Sequence, residues 1–172
     1  MGRRSRRAVL SAIRIVRDDL RHPAVIALLD YHLQQAVANS PADSVFALDL
    51  NGLRAPDVAL WSAWEGDVLL ALGAMKHLDA VHGELKSMRT APDQLRKGAG
   101  GLMLGYLIAE GRARGYRRLS LETGSNAAFA PARAMYARAG FVECGPFGEY
   151  SDSEFSLYFT RDLGSAAVRP NG

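Results

Sequence analysis

Apolar residues recur along this chain with two periods, and the switches between them mark out its elements. Val25, Leu28, Leu29, His32, Leu33 and Ala36 fall at helical spacing. Pro23 stands in the first turn, where its missing N–H is harmless. The pattern predicts a helix from His22-Pro23 to a stop before Asn39-Ser40-Pro41, preceded by a short strand at Ala12 to Val16. Ser44 to Leu53 reads as a short helix or loop. Strands follow at Val58 to Glu65 and Val68 to Leu78, around a Gly66-Asp67 hairpin. A turn at Ala80 to Gly83 leads to a third strand, Glu84 to Thr90, which Pro92 ends. A helical run, Leu102 to Arg114, closes at Gly115, a residue suited to the left-handed cap. Then come a strand at Arg117 to Thr123, a turn at Gly124-Ser125-Asn126, and a helix from Pro131 to Ala139 closed by Gly140. Phe141-Val142 and Glu154 to Thr160 read as final strands. With no repeat or low-complexity linker, the expected organisation is one α/β (α+β) domain over residues 12–163. A basic tail at 1–11, read as disordered, precedes it, and a frayed end at 164–172 follows.

Composition narrows the classes of function. The chain has 172 residues, 48% of them hydrophobic and 23% charged, enough for one substantial core. Its formal charge of +3 is concentrated in Arg3, Arg4, Arg6 and Arg7, so the remaining body is near neutral and gives no case for nucleic-acid binding. Those arginines do not begin an export signal, because Arg14, Arg17, Asp18 and Asp19 interrupt the required apolar core. No apolar run reaches the length of a membrane span. One cysteine, Cys144, permits no internal disulfide and suits the cytoplasm. The four histidines and Cys144 lack metal-ligand spacing, so no metal is expected.

The segment Arg96-Lys97-Gly98-Ala99-Gly100-Gly101 lies between a strand and a helix. Such a turn leaves helix N-terminal N–H groups bare, and with the helix dipole these bind phosphate. It is not a dinucleotide fingerprint, because Met103 stands where the third glycine is needed. It is not a P-loop, because Lys97 precedes the glycines and Leu102 follows them. A plain strand-to-helix connection is the bland alternative.

Three pieces occur in order: this turn, the strand Leu119-Ser-Leu-Glu-Thr123, and Pro131-Ala-Arg-Ala-Met-Tyr-Ala-Arg-Ala-Gly-Phe141 with its Tyr-x-x-x-Gly-Phe ending. Together they resemble the GNAT family of acetyl-CoA-dependent N-acetyltransferases. Met88-Arg-Thr90 and Cys144-Gly-Pro-Phe147 resemble a small bacterial subgroup of it. The resemblance implies a mixed, mostly antiparallel sheet, flanked by helices and splayed between two central strands, with acetyl-CoA in the split. It places the pyrophosphate on the backbone of Arg96, Lys97, Gly98, Ala99, Gly100 and Gly101. The pantetheine would pair with the strand around Met88, Arg89 and Thr90. The chain departs from the family at Leu95, where Arg or Gln is usual; Arg96 or Lys97 could supply the charge.

Acetyl transfer to an amine needs a base for the amine, donors for the thioester oxygen and a proton for the leaving thiolate. Tyr136 is the candidate acid and a cofactor contact; the alternative is a packed aromatic beside Ala132, Met135 and Ala139. Glu84 is the first candidate base, on a strand face that alternation gives to Glu84, Lys86, Met88 and Thr90, with Leu85, Ser87 and Arg89 opposite. Glu122, on the neighbouring strand, is the second. Asn126 is a candidate pantetheine contact. His32, Phe46 and Glu122 are candidate acceptor contacts, although His32, on the apolar helix stripe, reads first as a satisfied core histidine. Cys144 reads as a packed thiol. The expected reaction is direct transfer from acetyl-CoA to the primary amine of a small molecule in a ternary complex. The alternative is a non-catalytic CoA sensor or partner-binding module of the same fold. A homodimer is left open.

Overall fold

The computed structural model describes residues 12–95 and 97–164. The basic tail, Arg96 and the last eight residues, with the expectations placed on them, lie outside the described residues. The strands are β1 (Ile13–Arg17), β2 (Val58–Glu65), β3 (Val68–Asp79), β4 (His82–Thr90), β5 (Arg118–Gly124), β6 (Val142–Cys144) and β7 (Ser156–Asp162). The helices are α1 (Pro23–Asn39), α2 (Leu50–Leu53), α3 (Ala99–Ala113) and α4 (Ala130–Arg138). The strands form a single sheet in the order β1-β2-β3-β4-β5-β7-β6, antiparallel except where β4 meets β5.

Each face of the sheet carries its own apolar layer. Val25, Leu28 and Leu29 of α1 pack with Leu60, Leu72 and Ala74 on one side. Met103, Leu104 and Leu107 of α3 pack with Trp61, Met75 and Leu121 on the other, joined by Tyr136 of α4. A Cβ on Gly73 would lie 2.7 Å from the Leu107 side chain and 2.9 Å from that of Met103, so any larger residue there would force the α3 side chains to shift.

Most predicted elements are present with small shifts. The uncertain stretch at 44–53 is a 3-10 turn at Ala42–Ser44, a connection, and α2, which Asp49 caps by accepting from the Gly52 N–H at 2.8 Å. Gly124 ends β5 rather than starting a turn. α3 begins at Ala99, before the apolar run, because Gly98 takes the left-handed conformation (φ 79°) that starts the helix.

Two irregularities create the site. Parallel pairing of β4 with β5 is limited to His82↔Arg118, Gly83↔Leu119 and Glu84↔Ser120, after which the strands part. Side chains tie the closed end: His82 Nε2 lies 2.7 Å from Ser120 Oγ, which lies 2.9 Å from Thr160 Oγ1. The second irregularity is a bulge in β4. Lys86 pairs with Ala74 and Arg89 with Leu72, so Ser87 and Met88 together face Gly73. Ser87 takes a positive φ of 51° to do so. The bulge overturns the simple alternation expected of this strand. Arg89 joins the face of Glu84 and Lys86, because the extra residue advances the pleat by one. Met88 packs instead against the α3 layer.

Candidate active site

A cavity of about 350 Å³ opens where β4 and β5 part. Its walls include His32 of α1, the stretch from Glu84 to Arg89 of β4, Glu122 of β5 and Tyr136 of α4. Phe46 and Tyr150 line it from two loops. The structure thus brings together His32 of α1, Phe46 of a loop, Glu84, Met88 and Arg89 of β4, Glu122 of β5 and Tyr136 of α4.

Glu84 is buried at the vertex of the split and is held on one oxygen. Tyr150 donates to Glu84 Oε1 at 2.5 Å, and Lys86 Nζ donates to the same atom at 3.1 Å. Lys86 also donates to the Tyr150 hydroxyl at 3.0 Å. Burial and the neighbouring Glu84 charge push the Tyr150 phenol well above its ordinary pKa, so it remains a donor. Glu122 accepts from Ser156 Oγ at 2.9 Å. Burial raises its pKa, and the Ser156 hydrogen bond and Lys86 oppose the rise.

Tyr136 is buried edge-to-face on Phe141, with ring centroids 5.9 Å apart. Its hydroxyl has no hydrogen-bond partner among the described residues. Burial raises its pKa strongly, with Arg89 acting against the shift. The Ser87 hydroxyl is fully buried without a partner at the bulge, on the cavity wall. An orphaned polar group on a strained residue is a common mark of a functional position.

Arg89 Nε donates to His32 Nδ1 at 2.9 Å. Because guanidinium can only donate, His32 is an acceptor at Nδ1 and carries its hydrogen on Nε2. Burial, then the Arg89 charge, lowers the His32 pKa to about 4. An unfolded chain would bind a proton at the ordinary 6.5, so stability is full above that value and is lost as pH falls toward 4. The contribution is up to about 3 kcal/mol. Urea midpoints measured from pH 7 to 4 are expected to fall more steeply for the wild type than for His32→Gln. Parallel curves would exclude His32 as the source.

The start of α3 lies beside the end of β4. The first backbone bond of the helix runs from Leu102 N–H to Gly98 C=O at 3.0 Å, leaving the N–H groups of Ala99, Gly100 and Gly101 without helical partners. A Cβ at Gly98 or Gly101 would meet nothing, and one at Gly100 would lie 3.0 Å from Thr90 Oγ1. Open space above bare N–H groups fits a pyrophosphate, and the parted edge of β4 fits an extended pantetheine. Lys97 Nζ is exposed and donates to Gln94 Oε1 at 2.7 Å, and Leu95 projects into solvent. Asn126 is not on the cavity wall; its Nδ2 donates to the Asn39 carbonyl at 2.8 Å, tying α1 to the end of β5.

Sequence reasoning missed Lys86, Ser87 and Tyr150 as site residues. Tyr150 comes from the irregular connection between β6 and β7, where no periodicity operates. Aromatic contacts with Phe46, Phe147 and Tyr158, at 5.0, 5.1 and 5.5 Å between centroids, hold it over the cavity. Among the described residues no cluster of His, Cys, Asp and Glu could hold a metal ion, and no helix is long and apolar enough to cross a membrane.

The splayed sheet, the bare helix start and the carboxylates and phenols gathered at the split are features of an acyltransferase fold. Residues 25–141 match the acetyltransferase (GNAT) family, and the chain belongs to that family. It is 48% identical over 146 residues to the uncharacterized N-acetyltransferase YsnE of Bacillus subtilis, covering 85% of this chain and 97% of that protein. A Klebsiella pneumoniae protein assigned as an acyl-CoA N-acyltransferase shares the fold at a TM-score of 0.73 and 23% identity, over 90% of this chain and 99% of that one. A GNAT acetyltransferase of Elizabethkingia anophelis, solved with acetyl-CoA bound, shares it at a TM-score of 0.62 and 15% identity, over 87% and 97% of the two chains. The protein is therefore a GNAT acetyltransferase, with acetyl-CoA as its acetyl donor.

Proposed function

We propose that the protein transfers the acetyl group of acetyl-CoA to the primary amine of a small molecule, both substrates being bound together. The observation that carries this reading is the cavity at the strand split, where the buried Glu84, the half-buried Glu122 and an unpartnered phenol line one space. Acetyl-CoA supplies an acetyl group activated as a thioester. The N–H groups of Ala99, Gly100 and Gly101 hold its pyrophosphate, while Met88 in the bulge and Thr90 beyond it flank its pantetheine. We assign the orphaned Ser87 hydroxyl at the bulge as the donor to the acetyl oxygen.

The acceptor nitrogen must lose a proton to attack. Glu122 takes that proton, because burial keeps its carboxylate more basic than usual. Glu84, fixed by Lys86 and Tyr150, holds the incoming ammonium. This reverses the order that the strand pattern suggests for the two acids. Tyr136 donates to the departing sulfur.

The test is an assay of thiol release across a mixed amine library, with products identified by mass, beside the melting temperature with acetyl-CoA. Stabilisation together with amine-dependent release is expected. Stabilisation without release from any amine would favour a CoA-binding module, and neither response would overturn both readings.

A further inference from the structure

The cavity holds one cation with nothing to neutralise it. Glu84 has Lys86 as its ion-pair partner, and the other ion pair among the described residues, Arg114 with Glu110, lies at the C-terminal end of α3. Arg89 has no carboxylate within ion-pair distance among the described residues. Its Nε is engaged by neutral His32, and its two terminal nitrogens have no hydrogen-bond partner there. Its guanidinium carbon lies 5.7 Å from the centroid of the Tyr31 ring, a cation–π contact. Arg89 is half-buried and its terminal nitrogens are not sealed off, so they stand open to a ligand entering the cavity. A planar fork with free N–H groups matches a carboxylate.

His32 strengthens that match. Accepting from Arg89 leaves its hydrogen on Nε2, a further donor on the same cavity wall. The acids stand elsewhere around the cavity, Glu84 at the vertex and Glu122 on β5. Phe46, Phe129 and Phe155 supply apolar lining to the same cavity.

Resting on the acceptor reading above, we infer that Arg89 and His32 form a carboxylate subsite, so the acceptor is an amine that also carries a carboxylate, of the amino-acid class with an apolar or aromatic side chain. The bulge at Ser87 makes this possible, because without it Arg89 would point to the opposite face of β4.

The test compares phenylalanine with phenethylamine, which differ by the carboxylate, as acceptors for the full-length protein. Wild type is expected to favour phenylalanine in kcat/KM by roughly ten- to hundredfold. Arg89→Gln should bring the two within about threefold of each other, while Arg89→Lys should keep part of the preference. Phenylacetate, a carboxylate without the amine, should raise the melting temperature of the wild type and not that of Arg89→Gln. Equal or better use of phenethylamine by the wild type would overturn the subsite and leave the amine acetyltransferase reading standing. So would a tenfold loss of acetyl-CoA affinity in Arg89→Gln with the ratio unchanged, since it would assign the guanidinium to the donor. Absence of turnover with both amines, and with the mixed library, would overturn the acceptor reading itself.

Discussion

Replacing Tyr136 by phenylalanine is expected to lower kcat by roughly a hundred- to a thousandfold, with acetyl-CoA affinity changed by no more than about twofold. The substitution removes one oxygen and keeps the ring that packs on Phe141. No hydrogen bond within the described protein is lost, so the fold has little reason to weaken. The hydroxyl acts when negative charge gathers on the leaving sulfur. Its raised pKa keeps the proton in place through the working pH range. An interaction made only as the bond breaks appears in kcat and not in ground-state binding. Single-turnover rates with saturating acetyl-CoA, beside calorimetric binding, provide the check. An unchanged rate would leave Tyr136 as a packed aromatic.

The two carboxylates should separate by pH dependence and by stability. Glu122→Gln keeps an oxygen to accept from Ser156, so its melting temperature should hold while turnover falls by roughly a hundred- to a thousandfold. In the wild type kcat/KM falls with decreasing pH because the amine protonates. The profile should steepen further below the raised pKa of Glu122, where the base is also lost. That extra steepening should vanish in Glu122→Gln. Glu84→Gln acts differently, because it leaves Lys86, with a side chain only 10% exposed, without its carboxylate. Removing one partner of an enclosed pair costs about 3 kcal/mol or more, so Glu84→Gln should lower stability as well as activity. If Glu122→Gln retained full activity and the steepening disappeared in Glu84→Gln, the order of the two acids would be restored to the one that strand position suggests.

Much of the architecture was legible because it depends on local signals. Val58–Glu65 and its partner around Gly66, α1 after Pro23, and the helix ends at Gly115 and Gly140 follow from period and turn chemistry. The candidate site was legible in parts. Glu84, Glu122, His32, Phe46 and Tyr136 all line the cavity. Asn126 does not, because a turn residue with a free amide can be claimed by any nearby carbonyl, here that of Asn39.

The sequence by itself determined the family, the order of strands and helices, and the bare N-terminus of α3, since each rests on residues close together in the chain. Only the tertiary structure decided which side chains share a space. The bulge at Ser87 arises from pairing with β3, and it alone moves Arg89 to the face of Glu84 and beside His32. Tyr150 reaches Glu84 across 66 positions of sequence, held by aromatic contacts that no periodicity encodes. A strand's alternation fixes which side chains can face together, but the register with its neighbours fixes which ones do.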